Sequence, residues 1–63
     1  MTERQAQKAA KAYTARTGKN AFVYDDKQER GGCDWCTDED YRHGAAQWVR
    51  ESAVFWSTFD GYY

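Results

Sequence analysis

Apolar and small residues change their spacing twice along this chain. In residues 2–17, Ala6, Ala9, Ala10, Tyr13 and Thr17 recur at helical intervals, and at about 100° per residue they share one side. Arg4, Lys8, Lys11, Arg16 and Lys19 fall on the other side, over an arc of about 140°. The segment holds neither Gly nor Pro, Thr2 can cap its start, and Gly18 supplies the stop. The pattern predicts a helix over 2–17 with a narrow small-residue face and a basic back.

From Lys19 to Gly32 that period is lost. Ala-Phe-Val-Tyr reads as a short extended run, followed by Asp-Asp-Lys-Gln-Glu-Arg and a Gly-Gly pair. A lone strand needs a partner, here a second copy, so residues 18–36 are expected as a long connecting loop with Phe22 and Tyr24 tucked back as anchors. Thr37 followed by Asp38, Glu39 and Asp40 then signals a helix start, with acids at the positive end of the dipole. Tyr41, Ala45, Trp48, Val49, Ser52, Phe55, Trp56, Phe59 and Tyr63 recur at spacings of three and four, which predicts a second helix over 38–59 ended by Gly61. The expected fold class is all-α: one small domain, an antiparallel two-helix hairpin with a long loop, open to dimerisation.

Composition narrows the core. The 63 residues contain no Leu, Ile or Pro and only three Val, against nine Ala and eleven aromatics. A chain this short buries only about 60% of the surface its unfolded form exposes, so small residues facing large rings are the expected interior. Scaffolds of this size lean on disulfides, a metal or a second copy, and two cysteines two residues apart close only a trivial loop. A homodimer is thus one expected partner. The polar start and the lack of an apolar run near 20 residues point to a cytoplasmic chain with reduced thiols and no membrane segment.

Charge is balanced overall at net −1 but uneven: residues 1–30 carry seven Lys/Arg against four acids, and residues 31–63 carry two against six. That balance argues against a dedicated nucleic-acid binder, although Arg4, Lys8, Lys11, Arg16 and Lys19 can track phosphates and are the candidate RNA contacts. A solvated face is the commoner meaning of such a row.

Cys33-Asp34-Trp35-Cys36 and His43 raise a metal question. C-x-x-C suits half a tetrahedral zinc site, with His43 as third ligand and Asp40 or a second molecule to complete it. The alternatives are a redox pair, opposed by the acids at 38–40, and two small half-buried residues around Trp35. The packing reading is preferred, with no cofactor expected and zinc as the alternative. His43 lacks a pocket and a partner for acid-base work, so no catalytic residue is expected.

The C-terminal end carries more rings than a helix of alanines can cover. Trp48, Phe55, Trp56, Phe59 and Tyr63 are therefore the candidate protein-binding residues, since Trp and Tyr dominate interface hot spots.

The segment C-D-W-C-T-D-E-D-Y-R-H-G-A-A-Q-W-V-R-E-S, residues 33–52, resembles the second half of ribosome modulation factor, with Cys33, Trp35, Trp48 and the Arg50-Glu51 pair in comparable places. The resemblance implies a two-helix layout and a ribosome- or RNA-binding role. The turn proline and the strong positive charge of that family have no counterpart here. In its short, charged style the chain is also similar to accessory proteins of temperate bacteriophages. The expected function is a non-enzymatic regulatory protein that binds a host or self protein through an aromatic helix face. The alternatives are an RNA- or ribosome-binding hibernation-type factor and a zinc-stabilised mini-domain.

Overall fold

The computed structural model describes residues 1–26, 32–43 and 53–63. Its first element is fixed by local chemistry. The Thr2 hydroxyl accepts from the Gln5 amide at 3.2 Å while the Gln5 side chain accepts from the Thr2 amide at 3.0 Å, a reciprocal capping box. Helix α1 follows over Glu3–Thr17. It ends where Gly18, at φ 74°, takes the left-handed position and donates its N–H to the Thr14 carbonyl at 2.8 Å.

Four strands and a short helix follow: β1 (Ala21–Asp26), β2 (Gly32–Thr37), α2 (Asp38–Arg42), β3 (Val54–Ser57) and β4 (Gly61–Tyr62). The strands form one antiparallel sheet in the order β2-β1-β3-β4, with β1 paired to β2 and β3. Alternation sorts the side chains. Ala21 and Val23 of β1 face α1, beside Cys33 and Trp35 of β2. There Ala6 and Ala10 are buried against Ala21, Val23, Cys33 and Trp56, with Tyr13, Trp35 and Phe55 packed around them. On the other face Phe22 and Cys36 pack with Tyr24, Tyr41 and Val54. Tyr41 of α2 stacks on Phe22 with ring centres 3.9 Å apart.

One irregularity shapes the ring pattern. Val23 pairs with Trp56, but Tyr24 pairs with Val54, so β3 advances two residues while β1 advances one. Phe55 is the extra residue of a β-bulge. The bulge lets two successive rings, Phe55 and Trp56, pack on the α1 side instead of alternating between faces.

These observations overturn the all-α expectation: the chain is α+β, one long helix on a four-stranded antiparallel sheet, and not a helical hairpin. The segment 18–36, expected as a loop, contains β1 and β2, which supply each other with the pairing partner a lone strand lacks. Of the helix expected over 38–59, residues 38–42 are helical and 54–57 are a strand on β1. The portion over 44–52, with Trp48, lies outside the described residues.

Candidate functional site

The two outer edges of the sheet differ in how their backbone groups are satisfied. In the β1–β2 register, Phe22↔Cys36 and Tyr24↔Asp34 face each other, and the amides of Cys33 and Trp35 turn away from β1. These two outward donors are occupied. The Cys33 amide donates to the Met1 carbonyl at 2.7 Å, and the Trp35 amide to the Asp34 carboxylate at 2.8 Å. The other Asp34 oxygen accepts from the Tyr24 hydroxyl at 3.3 Å, which holds the carboxylate in place. At Thr37 the edge ends, because its hydroxyl accepts from the Asp40 amide at 3.1 Å and starts α2.

The β4 edge is built otherwise. The Tyr63 amide donates inward to the Phe55 carbonyl at 3.1 Å, and Gly61 pairs with Ser57. Tyr62, between them, therefore turns its N–H and C=O outward. Among the described residues no group meets either one. Its ring folds back instead: the hydroxyl donates to Glu3 at 2.6 Å and accepts from Gln7 at 2.9 Å, and the ring stacks on Phe55 with centres 6.4 Å apart. Around this edge Phe59, Tyr62 and Tyr63 are 61%, 64% and 67% exposed. Met1, beside β2, is the other long apolar side chain exposed among the described residues.

Short polar contacts set the β3–β4 turn. The Asn20 side-chain oxygen Oδ1 accepts from the amides of Ala21 at 2.9 Å and Phe59 at 3.1 Å, tying the end of α1 to the hairpin. The buried Ser57 hydroxyl accepts from the Asp60 amide at 3.2 Å, and Gly61 closes the hairpin at φ 76°.

The expected protein-binding residues thus separate. Trp56 is only 6% exposed and belongs to the core, and Phe55 is half-buried beside it. Phe59 and Tyr63 are at the surface, in the turn and after β4. Asn20, Asp34 and Tyr62 are not singled out by the sequence pattern, and Gly61 is read there only as a helix stop. Two large rings after a glycine at the chain's end were the available signal for Tyr62.

The candidate metal ligands do not converge. Cys33 and Cys36 lie on one strand at an odd separation, so their side chains point to opposite faces and join different clusters. Burial pushes the Cys36 thiol up to about 11, helped by the charges of Asp40 and Asp34. Burial raises Cys33 too, with Asp25 and Glu3 adding to it. Both thiols therefore favour the protonated form, which is neither a nucleophile nor a metal ligand. His43 is exposed after α2, in an open groove of about 370 Å³ shared with Lys19, Asp38, Glu39 and Arg42. Arg42 there pairs with Asp38 at 3.0 Å. Among the described residues no three His, Cys, Asp or Glu side chains form a metal-binding group.

Arg4, Lys8, Lys11, Arg16 and Lys19 are all exposed, and the Lys11 ammonium lies 5.7 Å from the centre of the Trp56 ring. No helix among the described residues is long and apolar enough to cross a membrane. Compared with protein-family models, curated proteins and solved structures, the chain matches none, so its own geometry carries the functional reading.

Proposed function

We propose that this chain is a non-enzymatic, cytoplasmic regulatory protein that docks an extended protein segment, from a host or from itself, at the β4 edge. The observation that carries the reading is the outward N–H and C=O of Tyr62, set among the exposed rings of Phe59, Tyr62 and Tyr63. Strand addition to a free sheet edge draws its affinity from main-chain hydrogen bonds, and neighbouring rings add contact area. The free, buried cysteines fit a reducing compartment.

A second reading is favoured by the five exposed cations of α1 and its C-terminal end: an RNA- or ribosome-binding factor. The two separate in one binding assay on the immobilised chain. Docking at β4 is abolished by Tyr62→Pro, which removes the outward donor while leaving the backbone pairing of Gly61 and Tyr63 with β3, and depends weakly on salt. RNA binding falls steeply with salt and is lost when Lys8, Lys11 and Arg16 become Ala, with Tyr62→Pro neutral. The second pattern rejects the β4 reading.

A further inference from the structure

We infer that the occupant of the β4 edge is a second copy of this chain, paired antiparallel about a two-fold axis at Tyr62. This identification rests on the β4 reading and names its partner. Three features of the edge favour a copy over a longer foreign strand.

β4 is two residues long and presents outward backbone groups at Tyr62 alone. A foreign strand finds one donor and one acceptor there and little to fix its register. A copy brings the same pair. In a two-fold arrangement each Tyr62 amide donates to the other Tyr62 carbonyl, so both copies are satisfied at once.

The flanking positions are also self-complementary. With Tyr62 opposite its own counterpart, Gly61 of one copy faces Tyr63 of the other. Space around the Gly61 α-carbon on its side-chain side is open, with nothing within 4 Å, while Tyr63 is 67% exposed. A ring laid across an edge glycine is a recognised way of stabilising such a strand, and the pairing supplies it twice.

Charge, finally, does not oppose the contact. The chain is net −1, so two copies repel weakly. The basic row of α1 lies on a helix that packs mainly over β1 and β2, and the α1 side chains that reach Tyr62 are the uncharged Gln7 and the acidic Glu3. The resulting sheet runs β2-β1-β3-β4 and then the same order reversed, and its two ends are β2 edges where the Cys33 and Trp35 amides are already met from within the chain.

A contact built on one residue pair and a few rings is small, so a dissociation constant of roughly 10 µM to 1 mM is expected. Sedimentation of the intact chain from about 5 µM to about 2 mM, spanning that range, should show the mass rise from 7.3 kDa toward twice that value. Amide exchange at Tyr62 should slow over the same range. Tyr62→Pro should weaken association at least about tenfold, and Tyr63→Ser several-fold. Tyr62→Phe, which loses the hydroxyl contacts with Glu3 and Gln7 but keeps the edge, should associate like the native chain.

A 7.3 kDa species at every concentration overturns the inference. If Tyr62→Pro nonetheless abolishes capture of another protein, the β4 reading survives and only its occupant was misassigned. A dimer that forms with Tyr62 exchanging freely also overturns the inference, and this readout needs no variant to fold.

Discussion

The β2 and β4 edges belong to one sheet and were given opposite treatments. At β2 the outward amides of Cys33 and Trp35 are met from within the chain, one by the Met1 carbonyl and one by the Asp34 carboxylate. At β4 the outward groups of Tyr62 meet no partner among the described residues and are ringed by exposed aromatics. Free edges template unwanted pairing, and small proteins commonly blunt them with charge or covering chain. On the proposed reading, the edge furnished with rings is the one that docks a partner.

Both edges depend on the core between them, so the largest expected effect comes from Trp56. Trp56→Ala removes the ring that packs Ala6, Ala10 and Val23 together, at a cost of about 3–5 kcal/mol. For a domain of this size that approaches the whole stability. Urea unfolding should show loss of the folded state, whereas a purely surface role for Trp56 predicts an unchanged midpoint.

Next is Gly61, which separates the edges. Gly61→Ala puts a β-carbon at φ 76° and should cost about 1–2 kcal/mol by the same measurement. It should loosen β4 and self-association while leaving amide exchange at Cys33 slow. Equal loosening of Cys33 and Tyr62 would show that the edges do not fold independently of one another.

Asp34 makes the converse test. Asp34→Ala uncaps the Trp35 amide and removes an acceptor of the Tyr24 hydroxyl, with an expected loss of about 1 kcal/mol. More telling is a new concentration-dependent association through β2, giving species larger than two copies in sedimentation. Asp34→Asn keeps an acceptor and should not show it. If Asp34→Ala adds no association, the cap is not what seals that edge.

The smallest effect concerns Cys36, beneath α2. Its folded thiol titrates at about 11 and the unfolded thiol near 9.0, so the unfolded chain loses its proton first as pH rises. Stability from this group is complete below the lower value and declines through the interval up to the upper one. Unfolding measured across that interval should fall less steeply for Cys36→Ala than for the native chain, and parallel curves would remove Cys36 as the cause.

How much of this was legible in the sequence follows from the range of each interaction. Helix α1 was readable end to end because its signals are local: Thr2 with Gln5, and Gly18 just past the last turn. The start of α2 at Thr37 is local in the same way. The sheet was not, because β1 finds its partners in β2 and in β3, the latter some thirty residues on. A hairpin signal was available in two six-residue runs, Ala21–Asp26 and Gly32–Thr37, separated by a short polar stretch of sequence that ends in Gly31. The bulge at Phe55 did the most to mislead. By putting Phe55 and Trp56 on one face it copies the adjacent-pair spacing of a helix, and Gly61 serves a hairpin as well as a helix stop. The cysteine question turned on the same choice: three residues apart, two thiols share a side on a helix and oppose each other on a strand.

The comparison of the edges comes down to two amides measured in one sample. Hydrogen exchange at Cys33 and Tyr62, followed from dilute to concentrated protein, should leave Cys33 slow throughout, while Tyr62 exchanges freely when dilute and slows as copies pair. A Tyr62 amide as protected as Cys33 in the dilute chain would mean that the β4 edge is already covered, and the account of an open edge would be wrong.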